Sequence, residues 1–220
     1  MLEAEAHWLA QRLAVVPDDE LGAVLNVGSS TLLFRTQVQP FIDASVIGPL
    51  RARGIDIIHL DIRADAGVDL VGDLTDAAGS PALVAAIRAR GVRTLVCSNL
   101  LEHVVDRVAF CRQLEQLLPP GGRLLLTVPH GYPHHPDPID TGYRPLPGDI
   151  GAAFPALQVE HSELLSCGGL WHNRQQLALG KKLLWVGLPF YKPQLWRANL
   201  SFFRYLAAPF TATCAVLRRR

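Results

Sequence analysis

Apolar residues at Leu2, Ala6, Leu9 and Leu13 recur at near-helical spacing, and Pro17 with Asp18 and Asp19 closes the segment, which predicts a leading helix. The run 23–27 is apolar apart from Asn26 and passes directly into Gly28, Ser29 and Ser30, as a buried strand does on entering a tight turn. A helix is predicted over 41–53, with Ile42, Val46, Ile47 and Leu50 on one face and Gly54 at its C-cap. A second strand is predicted over 55–60, ending in Asp61, and a third over 68–74, ending around Asp73. Ser80-Pro81 opens a helix that closes at Gly91, 92–98 forms the fourth strand, 105–118 is helical, and 123–128 forms a fifth strand ending at Pro129. Short strands alternating with helices in this way require a parallel sheet with right-handed crossovers.

Past Pro129 the periodicity lapses. Pro129, Pro133, Pro136, Pro138, Pro145 and Pro147 fit neither central strands nor helix interiors, so a long ordered loop is expected there. The final strands fall at 158–165 and 211–217, with a helical or aromatic insertion at 170–210 between them. The expected architecture is one α/β domain over 1–220: a Rossmann-like, doubly wound, mostly parallel seven-stranded sheet with helices on both faces.

Composition narrows the function classes. The chain is 49% hydrophobic and 19% charged, with a mean hydropathy of +0.19, which suits a sheet buried on both faces. Its net charge is +1 and its only dense basic run is Arg218, Arg219 and Arg220, so no field gathers nucleic acid. Cys97, Cys111, Cys167 and Cys214 include no CxxC pair, which points away from a disulfide framework and towards a reducing cytoplasm. The start of the chain, acidic and amphipathic, does not read as an export signal. The apolar stretch from 183 to 210 is broken by Pro189, Lys192, Pro193, Arg197 and Arg204, which excludes a run of about 18 uncharged apolar residues. Segment 181–210 interleaves Trp185, Phe190, Tyr191, Trp196, Phe202, Phe203 and Tyr205 with basic residues. It fits a peripheral contact at the inner membrane surface, and equally a cover packed on the sheet or a homodimer contact.

In an open parallel sheet, ligands bind beyond the carboxyl ends of the strands where the strand order reverses. That places the informative residues at 26–30, Asp61, Asp73, 98–103 and 129 onwards. A carboxylate after the second strand suits a ribose diol, Asp73 could accept from an adenine amino group, and Gly28 lets the backbone approach a ligand closely. Taken singly, each aspartate reads equally well as a turn or helix cap. The segment NVGSS lacks the GxGxxG that cradles a pyrophosphate, which disfavours a nicotinamide-dependent oxidoreductase.

Together, and in order, these segments resemble the class I S-adenosylmethionine-dependent methyltransferase family, in particular small members of the type found in sugar and cell-envelope biosynthesis. VLNVGS (24–29) is similar to the family's first motif and IHLD (58–61) to the acidic end of its second strand. VDLVGDLT (68–75) is similar to its adenine-side motif. SNLLEHV (98–104), followed by a helix and LPPGGRLLL (118–126), is similar to its signature around strands four and five. The resemblance spans roughly 20–165. It implies S-adenosylmethionine as cofactor, with Gly28 along its methionine part, Asp61 at the ribose, Asp73 and Leu74 at the adenine, and Ser98 or Asn99 near the methionine amino group. The chain departs from the family at Asn26, where an acid is usual, and at Ser29 and Ser30, which stand among the usual glycines. An asparagine accepts a hydrogen bond but offers no charge to an ammonium.

Methyl transfer to a hydroxyl needs alignment and removal of a proton. His130, His134 and His135 in the loop after strand five are candidates for that base, with Asp137, Asp140, Tyr143 and Arg144 meeting the substrate. Asp140, Tyr143 and Arg144 read equally well as residues that tie the loop together, and His103 beside Glu102 as an ordered helix-start residue. No metal site is expected, because the adjacent His134 and His135 poorly direct both rings at one ion. The acceptor class left open is a small molecule, a saccharide or a lipid-linked intermediate. The alternative is a catalytically inactive methyltransferase-like binding or assembly protein, motivated by Asn26 and Ser30.

Overall fold

The computed structural model describes residues 1–76, 80–134, 139–173 and 205–220. Seven strands form one sheet: β1 (Ala23–Val27), β2 (Ile57–Asp61), β3 (Leu70–Val71), β4 (Val92–Ser98), β5 (Arg123–Gly131), β6 (Leu157–Ser166) and β7 (Thr211–Arg219). Their order is β3-β2-β1-β4-β5-β7-β6. Pairings among β1 to β5 are parallel, whereas β7 runs antiparallel to both β5 and β6. Strand order reverses between β1 and β4, so a crevice opens there at the carboxyl ends.

Side-chain alternation sends successive strand residues into two cores. Leu25, Leu95, Cys97, Leu124 and Leu126 join one face, where α4 (Arg107–Leu117) contributes Phe110, Cys111, Leu114 and Leu117. Val24, Val96 and Leu125 join the other, against Ala6, Trp8, Leu9 and Leu13 of α1 (Glu3–Ala14). That second face also receives Val46, Ile47 and Leu50, from the helical run of α2 (Pro40–Ile42), a π-turn (Asp43–Ile47) and α3 (Gly48–Ala52). Between them the two cores account for both the amphipathic helices and the continuous apolar strands. The four cysteines are buried and unpaired.

Three expectations change in detail. The third strand shrinks from 68–74 to Leu70–Val71 at the sheet edge, because Asp69 and Asp73 draw the flanking chain into side-chain contacts. Asp69 accepts the His59 N–H at 2.8 Å, and Asp73 accepts the Thr75 N–H at 2.8 Å. The fifth strand continues through Pro129 to Gly131 instead of stopping at 128. Its pairing to β4 ends at Ser98↔Thr127, so on that side Pro129 lies on an open edge, and the antiparallel ladder with β7 tolerates it near a register shift. The helix expected over 41–53 holds, but it contains the π-turn before Gly48 and Pro49, where the missing proline N–H interrupts regular bonding. The insertion expected at 170–210, with its membrane, cover and homodimer alternatives, lies largely outside the described residues. Among the described residues no helix is long and apolar enough to cross a membrane.

Candidate functional site

A cleft of about 840 Å³ opens at the carboxyl ends of β1, β2 and β4, a size that suits a nucleoside-containing ligand together with a small partner. Asn26, Gly28, Asp61, Asp73, Leu74, Ser98 and Asn99 all line it. His130, His134, Asp140, Tyr143 and Arg144 are not among its lining residues, and His135 and Asp137 lie outside the described residues.

The turn after β1 is held from three sides. Gly28 has φ +69°, in the left-handed region, and a Cβ there would meet the Leu100 side chain at 2.8 Å. Ser30, at φ +55°, adopts a conformation that favours glycine, and its backbone N–H donates to Asp61 Oδ2 at 2.8 Å. Arg35, 2% exposed, donates to the carbonyls of Ser29, Ser30 and Gly67. Arg35 therefore pins a turn that glycines would otherwise leave pliable. Nothing in the local sequence marked it, because its partners are backbone carbonyls from two separate segments.

Asn26 sits opposite His59 in the β1–β2 register, and its side-chain amide bonds His59 Nδ1 at 3.2 Å. Burial, reinforced by the Arg35 guanidinium, lowers His59 to about 4, so its ring is neutral near neutral pH. The asparagine thus has a local role beside an uncharged imidazole. Asp61 has its second oxygen, Oδ1, against the Arg63 N–H at 3.2 Å. Carboxylate oxygens carry about four acceptor positions between them, so capacity remains for a diol. Asp73 accepts through Oδ1 from both the N–H and the hydroxyl of Thr75, an Asx-type turn at the mouth of the cleft.

The inner end of the cleft was less visible in sequence. Glu102, in the short 3-10 turn Leu101–His103 after β4, is fully buried, and neither carboxylate oxygen has a hydrogen-bond partner among the described residues. Desolvation raises it to about 7, assisted by the charge of Glu5. Glu5 reaches the cleft from α1: its Oε2 accepts from the Leu2 N–H at 2.6 Å and the Asn99 side-chain amide at 3.2 Å, while Oε1 is buried without a partner. Asn99, at φ +48°, leaves Oδ1 in the same condition, as Ser98 does Oγ. His103 also lines the cleft, with Nδ1 bonded to the Ile139 carbonyl and Nε2 at 3.7 Å from Glu102 Oε1. A carbonyl only accepts, so Nδ1 carries a proton. Glu5 could not have been assigned from sequence, since a helix 94 residues from Asn99 supplies it.

The loop after β5 closes on itself. His130 Nδ1 faces the Arg144 and Pro145 carbonyls at 3.1 Å, and His134 Nε2 faces the Asp140 carbonyl at 3.1 Å. Asp140, with a fully buried side chain, takes a two-pronged ion pair from Arg144 at 2.6 and 3.1 Å. The Arg107 guanidinium stacks 4.0 Å over the Tyr143 ring. Among the described residues no group of three His, Cys, Asp or Glu is arranged to hold a metal ion.

No protein-family model matches the chain, and no curated protein matches it. Solved structures do. Coclaurine N-methyltransferase, bound to N-methylheliamine and S-adenosylhomocysteine, superposes with a TM-score of 0.60 at 14% identity, over 98% of this chain and 70% of that one. YjhP of E. coli gives 0.55 at 16% identity over 100% and 94%. The [4+2]-cyclase SpnF gives 0.54 at 13% identity over 99% and 80%. Identities this low speak for architecture, and they agree with the strand order observed: the chain has the Rossmann-like fold of the class I S-adenosylmethionine-dependent methyltransferases.

Proposed function

We propose that this protein is an S-adenosylmethionine-dependent methyltransferase acting on a small-molecule, saccharide or lipid-linked acceptor. The observation that carries the reading is the cleft at the strand-order reversal, in which Asp61 clamps the Ser30 N–H and still offers acceptor capacity beside Gly28. The residues fit the cofactor in kind: a ribose acceptor at Asp61, a turn mouth at Asp73 and Leu74, and unpartnered polar atoms at Ser98 and Asn99. When bound, the cofactor supplies an electrophilic sulfonium methyl.

The chain's own part is to align an acceptor, exclude water and receive a proton. His103 is better placed for that last step than His130 or His134, because it lines the cleft and they do not. Asp140, Tyr143 and Arg144 act in this reading through the shape of the loop that carries Ile139 to His103. The methyltransferase neighbour bound to S-adenosylhomocysteine supports the cofactor assignment. The cyclase neighbour favours a second reading, in which the same cleft binds a ligand without methyl transfer.

Calorimetric titration with S-adenosylmethionine and S-adenosylhomocysteine, repeated on Asp61→Ala, tests the proposal. Binding by wild type that is weakened about tenfold or more in the variant supports it. Absence of binding of either ligand by folded wild type leaves the second reading.

A further inference from the structure

The inner end of the cleft is built almost entirely of hydrogen-bond acceptors. Glu5 Oε1, Asn99 Oδ1 and both oxygens of Glu102 are buried there with no donor among the described residues, and Ser98 Oγ is unpartnered beside them. Burying one such group without a partner is costly, and burying four in one place is a strong demand for something that donates. Asn99 sharpens this, because its Nδ2 already donates to Glu5 Oε2 and the atom it leaves without a partner is the acceptor, Oδ1.

The cations near Glu102 do not meet the demand. Arg144 is engaged by Asp140, and the Met1 ammonium, although it lines the cleft, makes no ion pair with either carboxylate among the described residues. His103 holds Nε2 at 3.7 Å from Glu102 Oε1, beyond hydrogen-bond reach, and its Nδ1 bonds the Ile139 carbonyl. A metal ion is a weaker match, since only two carboxylates meet here and no group of three His, Cys, Asp or Glu that could hold a metal ion occurs among the described residues. A hydroxyl would bring one donor hydrogen, whereas a primary ammonium brings three and a compensating charge.

We propose that Glu5, Asn99 and Glu102 form a subsite for a primary ammonium group. This rests on the methyl-transfer reading for its place in catalysis, though not for its existence. Asn26 leaves the end of β1 without the acid expected there, and Glu5, brought over the cleft by α1, supplies a carboxylate from a different element. The ammonium has two chemical sources: the α-amino group of the cofactor's methionine part, or an amine on the acceptor.

The test uses the full chain, with Glu5→Gln and Glu102→Gln checked for folding by circular dichroism and Asn99→Ser held as a further variant. Calorimetry compares S-adenosylhomocysteine with its counterpart lacking the α-amino group, and NMR follows n-propylamine added to protein with and without S-adenosylhomocysteine. A cofactor source predicts about tenfold or greater loss of S-adenosylhomocysteine affinity in the variants, with the desamino compound weak and indifferent to them. An acceptor source predicts unchanged S-adenosylhomocysteine affinity and a propylamine response that the variants abolish. Equal binding of S-adenosylhomocysteine by wild type and variants, with no propylamine response that depends on Glu5 or Glu102, overturns the subsite. Failure of folded wild type to bind any adenosyl ligand defeats the methyl-transfer reading instead, and the propylamine experiment on the ligand-free protein still decides the subsite.

Discussion

After β5, polar groups find one another: Asp140 takes two bonds from Arg144, His130 and His134 face backbone carbonyls, and Thr213 donates to the Pro145 carbonyl at 2.6 Å. After β4, a few residues across the same end of the sheet, Ser98, Asn99 and Glu102 keep buried oxygens without partners, and Glu5 of α1 adds another. Both regions are rich in residues that could do chemistry, and among the described residues only the second presents unmet bonding capacity to a cleft. Side-chain type therefore nominates a site, and unsatisfied burial locates it.

The sharpest way to break this contrast is to remove a residue from the self-satisfied side. Asp140→Ala strands the half-buried Arg144 guanidinium and is expected to cost about 3 kcal/mol of stability, while S-adenosylhomocysteine affinity stays unchanged. Urea unfolding with calorimetry on the same preparation checks it. A collapse of affinity with stability intact would put the loop in the binding site.

On the unsatisfied side, the prediction is a pH dependence. Burial raises Glu102 in the folded protein to about 7 from an ordinary 4.5, so its contribution to stability is full below pH 4.5 and is lost as pH rises towards 7, by about 3 kcal/mol. His59 works in the opposite direction: lowered to about 4, it contributes stability that is present above pH 6.5 and lost as pH falls towards 4. The two nearly offset each other in wild type. In Glu102→Gln the His59 slope is no longer opposed, so stability should climb between pH 4 and 6.5 and then level, exceeding wild type above pH 7. Urea midpoints across that range would tell, and parallel profiles for the two proteins would remove the buried unpaired carboxylate.

Two smaller effects sharpen the reading of the β1 turn. Asp61→Ala should weaken S-adenosylhomocysteine by about tenfold, the scale of a lost hydrogen bond to a charged group, when followed by calorimetry. Ser30→Gly should relieve a left-handed serine and raise the unfolding free energy by about 0.5 kcal/mol, after the extra chain entropy of glycine is subtracted. A decrease on denaturant unfolding would show that the serine side chain itself holds the turn.

The order of strands and helices, the two-faced burial of the sheet and the positions of Gly28, Asp61, Asp73, Ser98 and Asn99 were legible in the amino-acid sequence, because each follows from local periodicity, turn chemistry and the rule that ligands meet strand carboxyl ends. The helix, strand and turn signals that mark them lie within a few residues of one another. The roles of Glu5, Arg35 and Glu102 were decided by tertiary structure. Glu5 gains meaning only when α1 packs against the β4 turn, Arg35 only when Gly67 comes alongside, and Glu102 only when its surroundings are dry. Burial and long-range pairing set whether a polar side chain is satisfied, and neither is a property of its neighbours in sequence.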